Sequence, residues 1–154
     1  MKVLVTVGTT RFDEMIEALD LYFIGKSEFE VTFQISDGSY LPISGDHIVF
    51  SDSIERLYES SDVVISHAGA GSTFRLLEMG KLLILVPNVS RRDKHQLDIA
   101  NYMSENNHAL VINELSDVDK VMSDIHNFKP KAFVKEKFFK IYDIVDFIRN
   151  GVTS

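Results

Sequence analysis

The stretch "DVVISHAGAGSTFRLLEMGKLLILVP", residues 62–87, sets a β-branched run, a glycine-rich turn, a helix-forming segment and a second apolar run in succession. The spacing predicts a strand, a helix from about Ser72, and a second strand, which together make a βαβ unit with parallel strands. Glycines 69 and 71 stand where the first strand hands over to the helix. There they let backbone N–H groups approach a ligand closely, while the helix offers its positive N-terminal end to an anion. A phosphate is the guest such a turn suits.

The same alternation continues in both directions. "KVLVTV" (2–7) reads as a strand buried on both faces, and "FDEMIEALDLYFI" (12–24) places Phe12, Ile16, Leu19 and Phe23 at helical spacing. "FEVTFQI" (29–35) reads as a second strand, "HIVF" (47–50) as a short third, and "IERLYESS" as a helical turn before "DVVIS". After "LLILVP" come a helix through "KHQLDIANYMSEN", the strand "ALVI" and a helix from Ser116. Strands alternating with helices imply an α/β fold, a Rossmann-like doubly wound parallel sheet. No repeat, low-complexity segment or linker precedes Pro130, so residues 1–130 form one domain and 131–154 a C-terminal amphipathic helix.

Composition narrows the function. A chain of 154 residues with 45% hydrophobic content suffices for one domain with its own core. The absence of cysteine excludes a disulfide framework, a thiolate metal site and a thiol nucleophile. No apolar run is long enough for a signal peptide's core or a membrane span, so the chain is expected to be cytoplasmic. A net charge of −7 argues against a sequence-independent grip on nucleic acid, which is built from clustered Lys and Arg.

Ligands of such sheets bind at the carboxyl ends of the strands. Three loops fall there: "GTTRFDE" (8–14), "SHAGAGS" (66–72) and "PNVSRRDKHQ" (87–96). Singly, each has a plain structural explanation. Gly8 can end a strand and Thr10 cap a helix; His67 is as readily a satisfied histidine at a strand end as a ligand contact; "SRRDKHQ" can be a solvated charge run. "GAGSTF" matches only half of G-x-G-x-x-G, with Phe74 in the third glycine's place. The next strand ends in Pro87 and Asn88 rather than an acid, which disfavours a dehydrogenase, and no Gly-Lys-Ser/Thr follows to make a Walker motif.

Taken together, "ISHAGAGS", an acid on the next helix, "VPN", and "DKHQ" opening another helix resemble the nucleotide-sugar-binding half of glycosyltransferase family 28. The resemblance runs from Thr6 to Ala100. Within that family the chain is similar to single-domain subunits of two-component enzymes that build dolichol-linked glycans, and to bacterial relatives in exopolysaccharide and capsule synthesis.

The resemblance implies the donor-binding half of a GT-B glycosyltransferase, an inverting enzyme that moves a sugar from a UDP-sugar to a lipid-linked acceptor. It implies a heterodimer, because the acceptor-binding half would be a separate, membrane-attached subunit that recruits this chain to the cytoplasmic membrane face. It assigns Gly8, Thr9 and Thr10, with Gly69, Ala70, Gly71 and Ser72, to the donor's diphosphate, and places Arg11, Ser66, His67, Ala68, Asn88 and Lys94 among the residues that bind the donor. Ser51 and Ile54, in the segment "FSDSIERL", fall near the uracil, and His95 and Gln96 near the donor hexose. Many relatives hold the ribose with an acid where this chain has Arg75; Glu78, one turn later, could substitute, while Arg75 reaches the diphosphate or pairs with Glu78. His67 is the one candidate here for a catalytic base, a group that in this fold usually comes from the acceptor half.

None of the three loops carries an Asp-x-Asp or a His cluster at ligand spacing, so neither a metal nor another cofactor is expected. The terminal stretch sets Phe138, Tyr142, Val145 and Ile148 on one stripe, widened by Phe139 and Phe147, and reads equally as a helix on its own sheet or a partner-docking face. An alternative function is a non-catalytic nucleotide-sugar-binding module that regulates or scaffolds a separate transferase.

Overall fold

A computed structural model describes residues 1–89 and 95–134. Six strands form one sheet: β1 (Lys2–Thr6), β2 (Glu30–Gln34), β3 (Asp46–Ile48), β4 (Val63–His67), β5 (Leu82–Val86) and β6 (Leu110–Val111). Their spatial order is β3-β2-β1-β4-β5-β6 and every neighbouring pair is parallel. Strand order therefore reverses between β1 and β4, the switch point where a doubly wound sheet opens a crevice at its carboxyl edge.

The apolar runs divide their side chains between two cores, as the two-residue period of a strand requires. Val3 and Val5 of β1, Val63 and Ile65 of β4, and Ile84 and Val86 of β5 face α1 (Asp13–Phe23) and α5 (Val118–Asp124). Leu4, Val64, Leu83 and Leu85 face the other way, onto α2 (Ile54–Ser60), α3 (Ala70–Glu78) and α4 (His95–Glu105). Phe12, Ile16, Leu19 and Phe23 are all buried in the first core, as their spacing predicts. Truncating a fully buried leucine such as Leu4 would cost about 2–5 kcal/mol.

The departures from the sequence reading are local. α3 starts at Ala70 rather than Ser72, because Gly69 already occupies its N-cap position. The helix expected from Ser116 is a 3₁₀ turn over Leu115–Asp117 leading into α5. "HIVF" is in the sheet only to Ile48; Val49 and Phe50 leave the edge and are exposed. Residues 131–134 are not helical: they lie on the domain, with Lys131 N donating to Asn107 O at 2.8 Å and the Phe133 ring 5.7 Å from that of Phe74. The stripe from Phe138 to Ile148, with Phe139 and Phe147, lies outside the described residues.

A buried carboxylate on α1 holds the loop that precedes β3. Asp20 of α1 accepts the Tyr40 hydroxyl at 2.8 Å and the amides of Ile43 and Ser44 at 3.0 and 2.7 Å, fixing the connection that leads into β3. Burial acts to raise its pKa, but the hydrogen bonds from Ser44, Tyr40 and Ile43 outweigh it and hold the carboxyl below its ordinary range. The same pair pushes the Tyr40 phenol up to about 12, first through its hydrogen bond to Asp20.

Candidate nucleotide-sugar site

Beside the switch point the ends of β1 and β2, with α2 and the start of α3, enclose an open cleft of about 500 Å³. Gly8 and Thr9 line it from the first loop, Gly71, Ser72 and Arg75 from α3, and Ser51 and Ile54 from the segment before and at the start of α2. Loops far apart in the chain thus meet as their position at strand ends requires.

His67 sits between the two glycine turns. Gly8 has φ +66°, in the left-handed region open chiefly to glycine, and a Cβ there would stand 2.6 Å from His67 Cε1. A Cβ on Gly69 would stand closer still to His67 Nε2. Both glycines are therefore required by the imidazole as well as by any ligand. Beside it, a small hollow is lined by Thr10, Arg11, His67, Asn88 and Gln96, so the three loops do converge. Gln96 Oε1 accepts the Asn88 amide at 3.0 Å, tying the start of α4 to the loop after β5.

The start of α3 is built to face a guest. Gly69 at the N-cap makes no side-chain hydrogen bond to the first turn. The early amides of a helix have no intrahelical acceptor, and among the described residues the N-cap supplies no side chain to take one up. Beyond its chain neighbours and its own helix's backbone, Gly71 has no atom of the described residues within 4 Å of the place where a Cβ would stand. The glycine leaves space on the cleft side that the protein itself does not fill.

Other candidates lie elsewhere. Ser66 and Ala68 are fully buried, Ser66 donating to His67 O at 3.0 Å and Ala68 packing in the second core; their side chains form the floor beneath the turn. Ala70 is the first residue of α3 and His95, exposed, the first of α4. Lys94 lies outside the described residues. Glu78 lines a separate hollow with Lys81 and His108, not the cleft. Arg75 does pair with an acid, but its Nε donates to Glu55 Oε1 of α2 at 2.7 Å rather than to Glu78. That hydrogen bond leads the causes that raise the guanidinium pKa.

Sequence reasoning did not name six residues of the cleft: Thr6, Gln34, Phe50, Asp52, Glu55 and Tyr58. Phe50, 66% exposed, offers an apolar surface at the mouth, and Tyr58 lies buried behind it. The Tyr58 phenol is held in its protonated form, chiefly by burial and then by Glu55. Gln34 was legible only as one more polar residue in a strand that also carries Glu30 and Thr32. Among the described residues no three His, Asp or Glu side chains gather to hold a metal ion. One Asp-x-Asp does occur in the chain, Asp117 and Asp119, but it stands at the turn into α5 and does not line the cleft.

Comparison with known proteins agrees with this geometry. The model of the glycosyltransferase family 28 C-terminal domain matches residues 2–147. The human UDP-N-acetylglucosamine transferase subunit ALG13 is 33% identical over 120 residues, covering 69% of this chain and 10% of that protein. The UDP-N-acetylglucosamine–N-acetylmuramyl-(pentapeptide) pyrophosphoryl-undecaprenol N-acetylglucosamine transferase of Prochlorococcus marinus is 27% identical over 160 residues, covering 96% of this chain and 42% of that one. Both matches thus span less than half of the relative's length. An NMR solution structure of ALG13 shares the fold with a TM-score of 0.62 at 18% identity, over 93% of each chain.

Proposed function

The chain belongs to the glycosyltransferase family 28 C-terminal domain family, and on that premise we propose that it is the donor-binding part of an inverting glycosyltransferase using a UDP-sugar. The observation that carries the reading is the uncapped start of α3, with Gly71 open toward a cleft whose opposite lip is the Gly8–Thr9 turn. A diphosphate between them takes backbone N–H groups from the start of α3 and from the turn beyond Gly8, whose own amide is held by Gln34, together with the positive end of the helix. These donors are fixed before the reaction, so they stabilise the charge that develops on the β-phosphate as UDP departs. No metal has a part in this scheme, because amides and the helix end supply the positive potential.

The base lies against Phe50 and the 51–54 segment, an apolar face beside backbone polar groups. The ribose hydroxyls meet Glu55, the cleft carboxylate that Arg75 orients, in preference to Glu78, which lines another hollow. The hexose extends toward the small hollow, where the Gln96 amide and Asn88 lie beside His67. His67 is packed between the glycine turns, which suits a role against the diphosphate better than proton abstraction from an acceptor.

The relatives' names add the finer reading. UDP-N-acetylglucosamine is the donor named for both relatives, and a lipid pyrophosphate the acceptor named for the bacterial one. We extend both to this chain, with a second, acceptor-binding half that brings the pair to the cytoplasmic membrane face. No described helix is long and apolar enough to cross a membrane. Val49, Phe50 and Val89, each at least 60% exposed, stand in loops at the carboxyl edge of the sheet, where a second half closing over the donor would cover them.

Calorimetry of the purified chain with UDP in EDTA tests the reading: binding without a divalent ion is expected. No binding, or binding only with added magnesium or manganese, overturns the metal-free scheme. Binding without sugar transfer once the acceptor half is supplied would make the chain a nucleotide-sugar-binding module.

A further inference from the structure

Gln34 and Thr6 are register partners at the last position of β2 and β1, both almost fully buried and both on the floor of the cleft. Gln34 Oε1 accepts the Thr6 hydroxyl at 2.6 Å and the Gly8 amide at 3.1 Å. Its Nε2 donates to Gly8 O and to Val49 O, each at 2.9 Å. Two lone pairs and two N–H groups are all the hydrogen-bonding capacity a carboxamide has, and all four are used. The partners also fix which end is oxygen, since a flipped amide would set its NH₂ against the Gly8 N–H and its carbonyl against two carbonyls.

Gly8 begins the loop read above as the diphosphate lip, and Val49 begins the segment read as the wall for the base. We propose that Gln34 is a positioning residue that couples these two walls, so that one buried amide sets the distance between the diphosphate and base subsites. The inference rests on the nucleotide-binding reading. No other common side chain reproduces the clamp. Glutamate cannot donate to the two carbonyls, methionine can make none of the four bonds, and a group left unpaired at this depth is costly enough to move a loop.

The test compares UDP, uridine and pyrophosphate binding to the full chain by calorimetry, beside thermal melting. Gln34→Met should weaken UDP at least tenfold while changing uridine and pyrophosphate severalfold less, because each fragment still finds its own wall and only their spacing is lost. Thr6→Val, which keeps shape and strand preference but removes one bond to Gln34 and the second acceptor of the Gly8 amide, should show the same pattern more weakly. It serves if Gln34→Met does not fold. Tyr40→Phe, which loses a hydrogen bond to Asp20 remote from the cleft, should lower the melting temperature and leave UDP affinity unchanged. The inference is overturned if Gln34→Met and Thr6→Val lower the melting temperature but bind UDP like the wild type, or if both fragments weaken as much as UDP. Failure of the wild type to bind UDP would instead overturn the nucleotide reading.

Discussion

Arg75 Nε donates to Glu55 Oε1 at 2.7 Å, joining α3 to α2 across the open side of the cleft. Both side chains are about half exposed, 47% and 55%, so the pair contributes little to stability in high-dielectric surroundings. Its effect is orientation. The arginine holds a carboxylate at the cleft wall, where a diol can donate to it.

Glu55→Gln should therefore leave the melting temperature nearly unchanged and weaken UDP by about tenfold, the scale of one hydrogen bond to a charged acceptor. Binding of 2′,3′-dideoxy-UDP should be indifferent to the change. Calorimetry with both nucleotides checks this, and an equal loss for the two would remove Glu55 from the ribose.

The His67 imidazole links the two glycine turns, which predicts a pattern of coupled stability losses. Gly8→Ala should cost roughly 1–3 kcal/mol, combining the positive φ with the displaced ring, and Gly69→Ala should lose stability through the ring alone. Adding His67→Ala should restore most of the Gly69→Ala loss but only part of the Gly8→Ala loss, because the backbone strain at Gly8 remains. Denaturant titration of the single and double variants reads the difference.

Much of this fold was legible because hydrophobic period and turn chemistry agree along the chain. "KVLVTV", "DVVIS" and "LLILVP" carry no polar face, and only burial on both sides of a parallel sheet explains that. The site was legible where glycine and strand end coincide, at Gly8 and at 69–71. It was illegible where tertiary pairing decides. Nothing local distinguishes Glu55 from Glu78 as the partner of Arg75: an i+3 spacing favours Glu78, but the packing of α2 beside α3 delivers Glu55. Gln34 was hidden for the same reason, since its four hydrogen bonds reach the ends of two other strands, β1 and β3.

The Asp20–Tyr40 pair sets a pH dependence on both sides. The Asp20 carboxyl titrates lower folded than unfolded, so its contribution to stability is present above the unfolded pKa and is lost as pH falls through the folded one. Tyr40 titrates near 12 when folded against 10 unfolded, so the contribution it makes is present below pH 10 and lost as pH rises toward 12. Tyr40→Phe should flatten the alkaline limb of stability between those values and leave most of the acid limb, since the amides of Ile43 and Ser44 still hold Asp20. Urea titrations across pH are the measurement.

Gly71 should separate stability from binding in opposite directions. Its backbone is helical, within α3, and the space beside it is open, so alanine fits without strain. A helical Gly→Ala change stabilises by about 0.5–1 kcal/mol, less near a helix end, because the unfolded chain loses freedom. The added methyl group, however, occupies the space on the cleft side through which a phosphate would approach the first-turn amides. Gly71→Ala should therefore raise the melting temperature by a few degrees while weakening UDP severalfold, and Gly71→Val should weaken it further through greater bulk at the same place. Uridine, which carries no phosphate, should bind both variants like the wild type. Were uridine and UDP affected alike, Gly71 would border the base and the diphosphate would have to be placed elsewhere along the cleft. Were neither affected, the open space beside α3 would not be the donor's seat.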